Sequence, residues 1–345
     1  MKKMIFAAIA AGAVAFASCS KDAQNETYNP GAAGGPQVQI TLGSDNQTRA
    51  FFDDTAAAEA WESEITSLTV YAFNNSGNLI VKRTLTTSEI TARSARFSLP
   101  NSSAGTNCSF YAVANADYGD VATTAAMDAL TESVTLDEYN GTASQTMDGR
   151  KRTAGFVMTG KATTLIAAAG NSTTVALTLK RTVAKIAVRA KLSDDFSVDY
   201  NGGKVVITSA EMARITPTSN SFYNTTYVDP AKTTLYSCEQ TTRAANDNFD
   251  NLFYAYESYG YSPRNSGPYI KLKGYFDADG SDATTADRSE VNYTIFPNTV
   301  NGEIDRNAYY RIDATIKGLS GDGVIVNFTV AEWETPVTQT VDLGV

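Results

Sequence analysis

The chain has 345 residues, 43% of them apolar and 19% charged, an ordinary folded balance, and at about 150 residues per domain it predicts two domains. Its 28 Lys+Arg against 37 Asp+Glu give a net charge of −9, which argues against nucleic acid because phosphate neutralisation needs clustered cations. Histidine is absent, removing Ser-His-Asp and Cys-His nucleophile systems and His-based zinc or haem sites, while three Cys allow at most one intrachain disulfide.

Lys2 and Lys3 precede an apolar run from Ile5 to Phe16, too short to span a bilayer permanently, which reads as an export signal over residues 1–19. The run ends in Ala17-Ser18-Cys19, similar to the lipobox of bacterial lipoproteins, in which the Cys thiol is diacylated; Phe16 departs from the usual aliphatic there. Acylation at Cys19 would hold the precursor at the outer membrane. Residues 20–36, poor in apolar groups and rich in Gly and Ala, read as a tether. Val38, Ile40 and Leu42 then alternate with polar residues, the mark of a strand burying one face, and such a strand must pair with the domain behind it. The polar loop that follows carries a single cation, Arg49, so Arg49-Ala50 is a candidate processing bond.

Strand-like runs recur beyond Ala50, at Leu68–Phe73, Arg96–Leu99, Cys108–Ala114 and Thr174–Leu179, separated by turn signals such as Asn74-Asn75-Ser76-Gly77-Asn78. Ala122–Leu130, with Met127 and Leu130 on one side, is the best short helix. Adjacent cations Lys180-Arg181 split two strand-like pieces and mark a boundary between domains at 50–180 and 181–345. The second part repeats the pattern at Lys204–Thr208, Leu252–Tyr256, Tyr269–Leu272, Val291–Phe296, Tyr309–Ile316 and Val324–Val330. The pattern predicts an all-β protein of two antiparallel β-sandwich domains in tandem, transthyretin-like, with no parallel-sheet logic. In the tail, about 336–345, Val337, Val341, Leu343 and Val345 share parity and Gln339 interrupts them, while Pro336 disfavours continuous pairing with what precedes it. The spacing alone is equally consistent with an edge strand of its own domain.

Several motifs taken in order resemble the fimbrillin family, the major pilins of the type V pili of Bacteroidales-type bacteria. They are Ile65–Phe73, Phe110–Ala116, Gly155–Gly160, Leu179–Ile186, Phe253–Ser258, Arg306–Tyr310 and Thr329–Trp333, covering essentially the whole chain. The resemblance implies a structural fimbrium subunit and no enzyme, supporting cell adhesion, with no cofactor. It implies an exported lipoprotein cut after Arg49 by an arginine-specific protease, with loss of the first strand (Val38, Ile40, Leu42). The tail strand (Val337, Val341, Leu343, Val345) of another copy would then fill the vacated groove by donor-strand exchange. Its partners would be other copies of itself and minor pilins, the mature form being extracellular. A tip or anchor subunit, or a surface lipoprotein binding glycan or host protein through exposed aromatics around Tyr254, Tyr256, Tyr259 and Tyr261, are the alternatives.

Asp277, Asp279 and Asp282 alternate around Gly280 like half a calcium loop, but Arg288 stands where a bidentate Glu belongs in an EF-hand, and a plain hairpin loop explains the run. Cys108 and Cys238 fall in different domains and read as two unpaired thiols.

Overall fold

The computed structural model describes residues 35–44, 60–132, 134–141, 152–223, 235–259, 266–297, 303–319, 331–332 and 337–343, with the backbone alone for 44, 60, 331–332 and 337–343. Residues 37–181 build one seven-stranded sheet. Its members are β1 (Gln37–Ser44), β2 (Leu68–Phe73), β3 (Leu79–Thr84), β4 (Ser94–Ser98), β5 (Asn107–Ala114), β6 (Met158–Leu165) and β7 (Ser172–Arg181), in the spatial order β3-β2-β5-β6-β7-β1-β4, with the short helix α1 (Thr87–Ala92) between β3 and β4 in the chain. Only two residue pairs, Met158 with Arg181 and Thr159 with Lys180, join β6 to β7. The sheet therefore closes over itself there, around a core that includes Val38, Ile40, Leu68, Val70, Phe110 and Leu177. The unbroken apolar run of β2 is explained by this geometry. Leu68, Val70 and Ala72 face that core, while Tyr71 and Phe73 on the other face join a satellite cluster with Met127, on α2 (Thr124–Asp128), and Phe222.

Residues 183–343 carry the other two sheets. β9 (Lys204–Ile215), β10 (Tyr236–Thr241), β13 (Tyr269–Asp277) and β14 (Arg288–Ile295) form one, in the order β10-β9-β13-β14. The second has β8 (Val183–Leu192), β11 (Arg243–Ala245), β12 (Asn248–Tyr256), β15 (Ala308–Ile316) and β16 (Ala331–Glu332), in the order β11-β12-β8-β15-β16, with β17 (Val337–Leu343) also on β15. Ile186, Val188, Phe253 and Ile312 from this sheet share a core with Ile207, Met212, Leu272 and Tyr293 from the other. Tyr139, from a short helix, and Phe156, from the segment just before β6, join the same cluster.

The strand-like runs within the described residues fall in strands as expected, Val324–Val330 lying outside those residues, and Thr123 caps α2 within the expected helix. Strand direction differs in part from the antiparallel expectation: β1 with β7, β8 with β15 and β15 with β17 run parallel. Alternation of apolar residues records which face is buried and carries no information on direction. The crossover that a parallel pair needs is supplied between β1 and β7 by β2 to β6, so no dedicated helix is required.

Candidate functional site

The first strand occupies a slot. β1 pairs antiparallel with β4, Gln37 opposite Ser98 through Thr41 opposite Ser94, and parallel with β7, Gln37 opposite Ser172 through Ser44 opposite Leu179. Val38 and Ile40 are 0% exposed and Leu42 7%, all pointing into the first core. Its polar side chains are also tied: Gln39 Oε1 accepts from Arg96 Nη2 at 2.7 Å, and Gln37 Nε2 donates to Ser98 Oγ at 2.5 Å. The entry is close-fitting. Leu99 N donates to Pro36 O at 2.9 Å, and a Cβ on Gly35 would stand 2.2 Å from Leu99 O, so only glycine allows this approach. Lifting β1 out would expose two ladder edges and the apolar floor between them, an arrangement that calls for another strand.

The tail lies in β17, parallel to β15, with Tyr310 opposite Val337, Ala314 opposite Val341 and Ile316 opposite Leu343. It thus sits on its own chain's sheet. Cys19, Arg49, Ala50 and Val345 lie outside the described residues, as does Trp333 of the last motif.

A second constellation sits where the two parts of the chain meet, and sequence reasoning missed its centre. Glu62 is fully buried just ahead of β2, and its Oε1 accepts from Lys185 Nζ at 2.7 Å and from Tyr254 OH at 3.3 Å. Arg181 Nε donates to Glu62 O at 2.9 Å and Arg181 N to Asn307 Oδ1 at 3.1 Å. Burial pushes the Glu62 carboxyl above its ordinary range, with Lys185 and Arg181 pulling it back. A neighbouring buried pair joins Arg306 to Glu257, and Arg306 Nη2 donates to Ser219 Oγ at 2.8 Å and to Asn220 O at 2.5 Å. Asn115, in left-handed backbone at φ 63°, accepts from Thr66 N at 2.8 Å and donates to Glu64 O at 2.8 Å and Phe156 O at 2.7 Å. The scattered motifs around Thr66, Asn115, Phe156, Arg181, Lys185, Tyr254, Glu257 and Asn307 therefore converge on the junction, where they fix the two parts against each other. One signal did point there: Lys185 is flanked by the apolar Val183, Ala184, Ile186, Ala187 and Val188 at the start of β8, and a buried ammonium needs a counter-charge.

The aromatic run is not a surface patch. Tyr254 and Tyr256 are buried because Phe156 packs on Tyr254 at 4.9 Å and Tyr139 on Tyr256 at 6.5 Å, which overturns their assignment as exposed binding aromatics. The edge of β12 is closed there by α3 (Leu136–Asn140), whose Asn140 side chain bonds both Tyr254 N and Tyr254 O. Tyr261 lies outside the described residues. Tyr259 does line a cavity of about 770 Å³ at the junction, with Lys161, Lys180 and the half-exposed Tyr223. Cys108 is buried and Cys238 half-buried, both unpaired, and burial pushes both thiols up.

The chain is thus an all-β protein whose first strand fills a slot with two ladder edges, between β4 and β7. The family model of fimbrillin-A associated anchor proteins Mfa1 and Mfa2 matches residues 35–338, and the chain belongs to that family. It is accordingly a pilus-related subunit of an extracellular surface appendage, in a structural rather than enzymatic family. A fimbrilin from Porphyromonas gingivalis has a similar fold, with a TM-score of 0.57 at 18% identity, over 90% of this chain and 98% of that one. The tip fimbrial protein Mfa3 of the same organism, in a C-terminally truncated form, superposes with a TM-score of 0.52 at 14% identity, over 86% of this chain and all of that one. No curated protein matches the chain.

Proposed function

We propose that the chain is a polymerising shaft subunit, exported through residues 1–19, acylated at Cys19, and released by an arginine-specific protease that cuts between Arg49 and Ala50. The mature chain then comprises domains at 50–180 and 181–345. The cut frees β1, and the tail of a neighbouring copy takes the slot. The observation that supports this reading is the seat of β1, with Val38, Ile40 and Leu42 buried between β4 and β7 upstream of Arg49. The tail suits the slot in polarity, because β17 already runs parallel to its neighbour as β1 does to β7. Val341, Leu343 and Val345 are three uninterrupted apolar positions at a spacing of two, the spacing of Val38, Ile40 and Leu42. The donated strand would place them there, parallel to β7 and antiparallel to β4.

The test is assembly of the cleaved chain into SDS-resistant ladders whose subunits begin at Ala50. Arg49→Ala and deletion of residues 337–345 each abolish the ladders; unchanged ladders in both variants would refute strand exchange. An anchor or tip subunit is the second reading, supported by the seat of β17 on its own β15. Such a subunit would appear once per fibre, and immunogold labelling along the fibre length separates it from a shaft subunit.

A further inference from the structure

We propose that the tip of the β13–β14 hairpin is a binding site for a divalent cation of the calcium type. Carboxylate oxygens of Asp277, Asp279 and Asp287 lie within 4.8 Å of one another. Asp277 closes β13 and is paired in register with Arg288, the first residue of β14. It is 0% exposed, and its two oxygens differ: Oδ2 accepts from Arg288 Nε at 3.0 Å, while the buried Oδ1 has no hydrogen-bond partner. Asp287 is arranged in the same way. Its Oδ2 accepts from Asp279 N at 3.0 Å, and its buried Oδ1 has no partner. Each of these carboxylates thus has one oxygen held in place and one oxygen bare.

A buried anionic oxygen without a hydrogen bond is costly, and two of them beside a third carboxylate repel one another. A cation shared among them removes both penalties. Asp279, on the solvent side, accepts from Ser281 N at 2.8 Å and from Thr284 Oγ1 at 2.8 Å, and its oxygens keep spare lone pairs for a metal. The donors are all oxygen, which selects a hard cation over zinc or copper. Three carboxylates on an exposed hairpin, with water free to complete the shell, suit the adaptable six to eight ligands of calcium better than the strict octahedron of magnesium.

The third ligand departs from the alternating Asp pattern. Asp282 is drawn off to Lys204 Nζ at 2.8 Å and Arg288 Nη2 at 3.7 Å, and Asp287, distant in sequence from the run, takes its place. Arg288 and Lys204 therefore hold Asp277 and Asp282 without entering the trio. An affinity of about 10⁻⁴ to 10⁻³ M, the range of extracellular calcium modules, fits a site with this few protein ligands.

Equilibrium dialysis of the full chain against radioactive CaCl₂ tests the site. The expected result is one calcium per chain at millimolar concentration, undiminished by an equal concentration of MgCl₂. Asp287→Asn should weaken binding roughly tenfold or more while melting like the wild type in EDTA. Calcium should also raise the melting temperature of the wild type and slow proteolysis between Asp279 and Asp287. If Asp287→Asn fails to fold, Asp279→Asn, at an exposed position, gives the same comparison. Absence of saturable calcium binding by the wild type, or wild-type binding by the folded variant, overturns the assignment.

Discussion

β1 and β17 are both strands that run parallel to a neighbour, and they are held very differently. β1 is clasped on two edges, by β4 and by β7, and buries three aliphatic side chains in the first core. β17 has a ladder to β15 alone among the described residues. At about 1.5 to 3 kcal/mol for each buried aliphatic, β1 gains roughly 5 to 9 kcal/mol from its side chains before any ladder bond is counted. A strand held so firmly does not exchange spontaneously, and a covalent cut upstream of Leu68 is the kind of event that lets it go. A strand with one ladder among the described residues has fewer described contacts to give up than β1. On the proposed reading the strand clasped on two edges is the one a protease releases, and the tail is the one donated.

The sharpest way to break this contrast is to delete residues 35–44. The loss expected is roughly 5 to 9 kcal/mol, read from urea unfolding with an unchanged slope for the second part of the chain. A synthetic peptide of residues 336–345, added in excess, should recover a measurable part of it. An unaltered midpoint after the deletion would mean the core closes without β1 and no acceptor exists.

The junction decides whether a change in one part is felt in the other. Lys185→Met removes the counter-charge of a fully buried carboxylate, and the expected loss at neutral pH is about 3 to 5 kcal/mol. The pH dependence carries the sign of a raised carboxyl pKa: the folded state holds the Glu62 proton more tightly than the unfolded chain. That contribution is fully present below the ordinary Glu value of about 4.3 and fades as pH climbs through the raised one. Without Lys185 the carboxyl rises further, so the loss in Lys185→Met should shrink between pH 8 and pH 5; a loss that stays constant argues against Glu62 as the group responsible.

The strand-rich architecture is legible because β2, β5, β7, β12 and β15 announce themselves as short apolar or alternating runs with turn residues between them. β1 is legible for the same reason, through Val38, Ile40 and Leu42. What the pattern could not carry is pairing between residues distant in sequence. Glu62 has no local mark, since its meaning depends on Lys185, 123 positions away. Tyr254 and Tyr256 look like surface aromatics until Tyr139 and Phe156 cover them. The parallel direction of β17 on β15 likewise has no counterpart in the order of residues.

Ile40→Ala probes β1 by one side chain, with an expected loss of about 2 to 5 kcal/mol because Ile40 is wholly enclosed and its removal leaves a cavity. The same variant in a chain already cut after Arg49 should change nothing, since the mutated strand has gone. A loss that persists after cleavage would show that β1 stays in its slot.

Deletion of residues 337–345 should have the smallest effect on the single chain. Each ladder bond between β17 and β15 contributes about 0.5 to 1.5 kcal/mol, while ordering each residue costs about 1 to 2 kcal/mol of backbone entropy. The two nearly cancel for the one ladder β17 has among the described residues, so on the proposed reading the truncated monomer should unfold within about 1 kcal/mol of the intact one and yet form no ladder. Donation requires this asymmetry, because a tail that stabilised its own chain as much as β1 does would have to surrender that stability before it could bind a neighbour. Equal losses on deleting β1 and on deleting the tail would identify both as permanent parts of the fold and favour a subunit that ends a fibre over one that extends it.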